Sequence, residues 1–117
     1  MSDHAPLARL LCDSLKTVNN RGAALYNDGR PAEALRLYQG ALFVVLRLLG
    51  GLPDLKRAIA DGLQEVEQSA ASDSLKAYRL HEVIDHARDV LKTLLEGSSR
   101  GDGPGDASLG ETTNPPG

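Results

Sequence analysis

The sequence predicts an all-α protein, folded as an antiparallel, up-and-down four-helix bundle. Three observations support this fold class. Apolar residues recur at helical spacing in four segments, turn-forming residues separate those segments, and no strand pattern is visible. The connections between the segments are short, and short connections favour antiparallel neighbours.

The first two helices are predicted to form a hairpin. We place the first at about residues 5–28, with Pro6 in its first turn and Gly29 as its stop. The second begins at Pro31 and continues to about Leu49. It carries two adjacent apolar rows, and a band this wide predicts a central helix with more than one neighbour. The rows are Ala34, Leu35, Tyr38, Ala41, Leu42, Val45 and Leu49, and beside them Leu37, Val44 and Leu48.

Two further helices complete the predicted bundle. The third is placed at about Pro53 to Gln68, after a pair of glycines and the proline that interrupt the chain. The fourth is placed at about Asp73 to Glu96 and has a clear amphipathic stripe. Residues 72–74 are its candidate N-caps, because their side-chain oxygens can accept bonds from free first-turn amides. Gly97 is its predicted C-terminal stop.

The chain divides into a helical domain and a tail. Residues 1–97 are predicted to form the four-helix domain. Residues 98–117 contain five glycines, three prolines and no aromatic residue. Such a segment cannot bury enough apolar surface to offset the entropy cost of ordering. We therefore expect a disordered Gly/Pro-rich tail or linker.

Composition and charge argue against several functional classes. A formal net charge of −3 is the opposite of the basic balance that nucleic-acid binders usually carry. The longest unbroken apolar run, Ala41 to Leu46, is too short to span a bilayer, so we expect no membrane insertion. Cys12 is the only cysteine, which excludes an internal disulfide and favours a reducing compartment. We therefore expect a cytoplasmic protein.

No catalytic or cofactor-binding pattern stands out. The stretch "HEVIDH" at 81–86 is similar to the HExxH zinc motif, but its histidines are five apart and point about 140° apart on a helix. His81 instead neighbours Asp85 and Arg88, on what we expect to be a solvated charged face. Cys12 has neither a nearby histidine nor a CxxC partner, which indicates a small packed residue rather than a nucleophile. We expect no enzyme activity, no metal site and no cofactor.

An outward line on the second helix is the first candidate for partner binding. Its members are Arg36, Gly40, Phe43 and Arg47. An aromatic residue flanked by two arginines, with a glycine that allows close approach, has the composition of an interaction hot spot. The alternative is that helix four packs over Phe43, with the arginine stems lying along that apolar surface. The outward residues of helix three would rim the groove between helices two and three: Lys56, Arg57, Asp61 and Gln64.

Asn19 borders the apolar face of the first helix, and two interpretations of it stay open. In one, Asn19 contacts a ligand across the hairpin. In the other, it is a bordering polar group that is satisfied by nearby backbone.

The hairpin resembles two kinds of helical module. Its small residues and one large residue fall at the spacing of a tetratricopeptide repeat, namely Gly22, Ala34, Tyr38 and Ala41. The stretch "DGRPAEALRLYQGAL", the break that follows and "LKRAIADGLQEVEQ" are similar to helices one to three of MIT (microtubule interacting and transport) domains, over roughly residues 10–68. Members of that family bind short amphipathic helices in grooves between their own helices. The resemblance therefore implies a peptide-binding adaptor.

Two functional hypotheses follow. In the first, the protein is a non-enzymatic interaction module, or adaptor, that binds a partner helix or peptide in an interhelical groove. In the second, it is a self-associating structural module, in which the apolar band of helix two or the stripe of helix four builds a homodimer. A small enzyme or metal sensor is a third hypothesis, and it rests on "HEVIDH" alone.

Overall fold

Four helices make up the part of the chain that the computed structural model describes, residues 5–100, of which the last three are described by their backbone alone. The helices are α1 (Ala5–Asn27), α2 (Pro31–Arg47), α3 (Pro53–Gln68) and α4 (Asp73–Arg100). No strand occurs among the described residues. The prediction of an all-α helical bundle is therefore confirmed. The disorder predicted for residues 98–117 is not seen at 98–100, which continue α4, and residues 101–117 lie outside the described range.

The end of α1 is fixed by the predicted glycine. Gly29 has a φ of 80°, the left-handed conformation that glycine adopts without steric cost. The N–H of Gly29 donates to the carbonyl of Tyr26, and the N–H of Arg30 donates to the carbonyl of Leu25 at 2.9 Å. These two bonds are those of a Schellman motif, which satisfies carbonyls that the helix leaves unpaired at its end. The stop predicted at Gly29 is confirmed.

The two ends of α4 differ in how well the sequence anticipated them. The N–H of Leu75 donates to the Ser72 hydroxyl at 3.2 Å, so Ser72 is the N-cap, within the predicted 72–74. The stop predicted at Gly97 is wrong, because α4 continues to Arg100. A glycine stops a helix by adopting the left-handed conformation, and among the described residues only Gly29 has a positive φ. Without that conformation, a glycine only weakens a helix, by about 1 kcal/mol relative to alanine.

α2 ends at Arg47, two residues before the predicted Leu49. The N–H groups of Leu48 and Leu49 still donate to carbonyls three residues back, as in a tightened last turn. Helix ends commonly differ by this much between criteria.

The core lies between α2 and α4, each of which packs against the other three helices. This arrangement confirms the prediction that α2 has more than one neighbour. The most deeply buried large side chains come from all four helices: Leu15, Tyr38, Leu42, Ile59, Leu80, Ile84 and Leu91. None of the helices within residues 5–100 is long and apolar enough to cross a membrane.

Two glycines let helices approach closely. A Cβ at Gly22 in α1 would collide with the ring of Tyr38 in α2. A Cβ at Gly62 in α3 would lie 2.7 Å from a methyl group of Val83 in α4. The packing role of Gly22 and Tyr38 was expected from the hairpin pattern. Gly62 was not anticipated, although it lies on the apolar side of α3, three residues after the buried Ile59.

Candidate partner-binding groove

An open groove of about 630 Å³ lies between α2 and α3. We call it the α2/α3 groove. One wall comes from α2, the other from α3, and the lining residues are Gln39, Gly40, Phe43, Leu46, Ala60, Leu63, Gln64 and Glu67. Its centre is apolar, and its polar groups are two amides and one carboxylate.

Helical spacing explains why these side chains meet. On α2, Gln39, Phe43 and Leu46 are three or four residues apart, so they share one side of the helix. That side lies next to the row of Tyr38 and Leu42, which is buried in the core. The α2 wall of the groove is therefore the outer side of a helix whose inner side is buried in the core.

Phe43 is the main exposed apolar group of the groove, with 54% of its surface accessible. The guanidinium carbon of Arg47 lies 5.6 Å from the centroid of the Phe43 ring, within the range of a cation–π contact. A Cβ at Gly40 would meet nothing within 4 Å, so the glycine leaves open space beside the ring. This combination supplies an anchor and room for an incoming side chain.

Helix α4 does not cover this surface. All residues that line the groove belong to α2 and α3, and Phe43 is exposed. The alternative in which helix four packs over Phe43 is therefore wrong. The reason is that α4 uses its apolar stripe on the inner faces of the bundle, where Leu80, Ile84 and Leu91 are fully buried.

The structure brings three of the eight predicted binding residues to the groove, namely Gly40, Phe43 and Gln64. Lys56 lies one turn before Ala60 on the same side of α3, so it continues the groove wall towards one end. Arg36 and Arg47 flank Phe43 along α2. None of these three cations takes part in an ion pair among the described residues.

Arg57 and Asp61 do not line the α2/α3 groove, and both are exposed. At 100° per residue, Arg57 lies about 20° and Asp61 about 60° around α3 from the lining residue Gln64, so they border that edge of the groove rather than its floor. Their role as rim residues stays a prediction.

Five groove residues were missed by the candidates taken from the sequence: Gln39, Leu46, Ala60, Leu63 and Glu67. Leu63 is half-buried, at the edge of the core face of α3. Leu46 lies between the two apolar rows predicted for α2. A search for partly buried apolar residues at the edges of core stripes would have found both.

A polar network joins α1 to α4 on another side of the bundle, and we call it the α1/α4 seam. The Asn19 amide donates to Asp85 Oδ1 at 3.2 Å, and Asn19 Oδ1 lies 2.6 Å from His81 Nδ1. His81 Nε2 lies 3.3 Å from Asp85 Oδ2. Asn19 is thus satisfied by side chains of α4 rather than by nearby backbone, which corrects the second of its two interpretations.

The expected solvated face of α4 is also corrected by these contacts. His81 is only half-buried but is tied to α1, and the Nε of Arg88 is buried without a hydrogen-bond partner among the described residues. The side chain of Asp85 is largely exposed, as predicted. One side of the polar face of α4 borders α1, so only the outer half of that face is exposed to solvent.

Tyr38 connects the seam to the core. Its hydroxyl donates to the backbone carbonyl of Asn19 at 3.5 Å. Burial raises the pKa of the Tyr38 hydroxyl, and the nearby negative charge of Asp85 raises it further. The phenol is therefore held in its neutral form over a wider pH range than an exposed tyrosine.

Neither a metal cluster nor a reactive cysteine emerges from the described residues. No group of three His, Cys, Asp or Glu side chains lies close enough there to hold a metal ion. Cys12 is buried in α1, with its sulfur 3.9 Å from the carbonyl oxygen of Arg88. It is a packed residue, as its sequence context indicated.

Comparison with known proteins adds no relative to this description. No protein family, curated protein or solved structure gives a match to the chain. Its function must therefore be argued from its own residues.

Proposed function

We propose that this protein is a non-enzymatic interaction module, an adaptor of the cytoplasm that binds a helix or peptide of a partner protein in the α2/α3 groove. The observation that carries the proposal is the exposure of Phe43 at the centre of an open groove. Aromatic residues and arginines are enriched among the residues that dominate interface energetics, and here an exposed aromatic ring lies in a groove between two arginines of the same helix.

The proposal includes an antiparallel, up-and-down order of the helices, with an α1–α2 hairpin like that of tetratricopeptide-repeat and MIT modules. Contacts between helices support it. Cys12 lies near Arg88, whereas the later Asn19 lies near the earlier His81, so α1 and α4 run in opposite directions in this scheme. Between α3 and α4 the order is the same, since Gly62 lies against Val83 and the later Glu65 pairs with the earlier Arg79.

The groove chemistry favours an amphipathic helix as the ligand. Phe43, Leu46 and Leu63 offer apolar surface for one face of such a helix. Arg36 and Arg47 can then bind polar or acidic groups at its edge, because neither is engaged in an ion pair within the described residues. A flat or fully polar partner would leave the Phe43 ring in water.

Site-specific photocrosslinking tests the proposal. A photoreactive phenylalanine analogue is placed in the full chain at position 43, at 64, or at 16, where Lys16 is exposed on α1, a helix that lines no part of the groove, and serves as the control. We expect crosslinks to a partner from 43 and 64 and none from 16. Equal crosslinking from all three positions would reject the groove as the site.

A second arm locates the contact on the isolated partner segment. When that peptide is added to the ¹⁵N-labelled chain, amide resonances of α2 and α3 should shift, and those of α1 should not. Phe43→Ala should weaken binding by about 2 kcal/mol or more, as expected for a hot-spot residue. Unchanged affinity in this variant would contradict the proposed role of the ring.

Self-association is a second candidate, favoured by a different surface. Leu7 and Leu48 lie on the wall of one apolar cavity at the end of the bundle. Leu10 and Val44 lie one turn further along the same helices, and all four are exposed. Sedimentation equilibrium tests this: a dimer that becomes monomeric in Val44→Glu supports a homodimer, whereas a wild-type monomer at the highest soluble concentration removes it.

A further inference from the structure

All three tyrosines of the sequence line one cavity of about 210 Å³ between α1, α2 and α4. Together with His81 they provide most of its wall, and Ala23, Asn27 and Ala77 complete it. Aromatic residues make up only 3% of the chain. We call this cavity the aromatic pocket, because three of the four aromatic residues of the chain line it.

The rings differ in depth. Tyr38 is 2% exposed and forms the inner wall, where it packs against Gly22. Tyr26 and Tyr78 are 37% and 54% exposed and stand at the opening. The ring of Tyr78 lies 5.9 Å from that of His81, in a tilted arrangement. An incoming group would therefore be surrounded by rings on several sides, with access from solvent.

The electrostatic surroundings of the pocket favour positive charge. No lysine or arginine lines it. Asp85 stands directly behind His81, 3.3 Å from its Nε2. The influence of this carboxylate reaches Tyr38, whose pKa it helps to raise. The cavity volume of about 210 Å³ is several times the ~30 Å³ that one water occupies in the liquid, so the pocket has room for a small group.

We propose that the aromatic pocket binds a quaternary ammonium group, carried by a small molecule or by a methylated lysine side chain. Tyrosine rings attract cations through their electron-rich faces, and this attraction increases when the cation is desolvated. A quaternary group has no N–H donors, so it loses no hydrogen bond on entering a pocket made mainly of rings and alanine methyls. The pocket is separate from the α2/α3 groove, and the two proposals stand or fall independently.

Tyrosine fluorescence offers a direct test, since the chain has no tryptophan and each of its tyrosines lines the pocket. The full chain is titrated with choline and with 3,3-dimethylbutan-1-ol, which has the same shape but a carbon in place of the charged nitrogen. We expect choline to bind at least about tenfold more tightly, a difference of about 1.4 kcal/mol. Saturable binding of the neutral alcohol as tight as that of choline would overturn the proposal.

A third titrant, the N-acetyl amide of trimethyl-lysine, separates the two sources of the cation. Tighter binding of this compound than of choline assigns the pocket to a lysine side chain of a partner protein. Tighter binding of choline assigns it to a free ligand. Failure of both compounds to bind rejects a cation site altogether.

Matched variants connect the signal to the rings. Tyr78→Phe keeps the ring and should retain choline affinity, whereas Tyr78→Leu removes it and should weaken binding at least about fivefold. Phe43→Leu, in the α2/α3 groove, is the control and should bind like the wild type. Circular dichroism melting of each variant checks that it folds. Equal affinity in Tyr78→Leu and Tyr78→Phe, with both folded, would contradict the role of the ring.

Discussion

The α2/α3 groove and the α1/α4 seam are both junctions between helices, yet they expose opposite chemistry. In the seam, Asn19 satisfies groups on α4, and Tyr38 closes the inner side. In the groove, the Phe43 ring and the flanking arginines have no such partners from another helix. The difference shows that exposure alone does not identify a binding surface: what matters is whether the exposed groups already satisfy one another.

The largest expected effect concerns the close approach of α1 and α2. Gly22→Ala should lower the free energy of unfolding by about 1–3 kcal/mol, because its Cβ would collide with the buried ring of Tyr38. Gly40→Ala, in the groove, is the control. It meets no neighbour, so removing a glycine from the interior of α2 should stabilise the chain by up to about 1 kcal/mol. Urea unfolding measures the free energy of unfolding of both variants. A Gly22→Ala variant as stable as the wild type would contradict the described packing.

The next effect tests the seam itself. Asn19→Ala removes the contacts with His81 and Asp85 and should cost about 1–2 kcal/mol of stability. Asn20→Ala is a matched control, since Asn20 is exposed one residue further along α1 and has the same helix propensity. Its stability should stay within about 0.5 kcal/mol of the wild type. If the two variants melt at the same temperature, the seam network contributes nothing.

A smaller effect is expected in the groove. Phe43→Ala should change stability by less than about 1 kcal/mol, because the ring is exposed and its main contact is with Arg47. Thermal unfolding of the two chains side by side provides the measurement. A large loss of stability would mean that Phe43 is a core residue, and the contrast between groove and seam would disappear.

The smallest effect appears only in alkali. Folding raises the pKa of the Tyr38 hydroxyl above the value of an unfolded tyrosine, ~10. The neutral phenol therefore contributes its full share of the folding stability below pH ~10, and this contribution is lost as the pH rises through the raised pKa. Tyr38→Phe removes this titration, so its stability should fall less steeply with alkaline pH. Denaturant melts at several pH values would show it, and parallel curves for the two chains would refute it.

The sequence predicted local features better than contacts between helices. α3 was placed correctly at Pro53–Gln68, because a proline and a regular apolar spacing define it. Phe43 and Gly40 were found because the unusual composition of one helix face is visible within the twelve residues from Arg36 to Arg47. The pairing of Asn19 with His81 joins positions 62 residues apart, and no local periodicity contains that information. Arg57 and Asp61, chosen because they point outward, do not line the groove, since exposure does not reveal which neighbour a side chain faces.

The single thiol of the chain allows the packing of α1 to be followed by a labelling rate. Cys12 is buried against α4, so a thiol reagent can reach it only when the two helices separate there. The rate at which native protein is labelled would therefore report the frequency of local opening, as hydrogen exchange does for amides. Because the sequence has no second cysteine, the labelling experiment requires no substitution and reports on one position in the bundle.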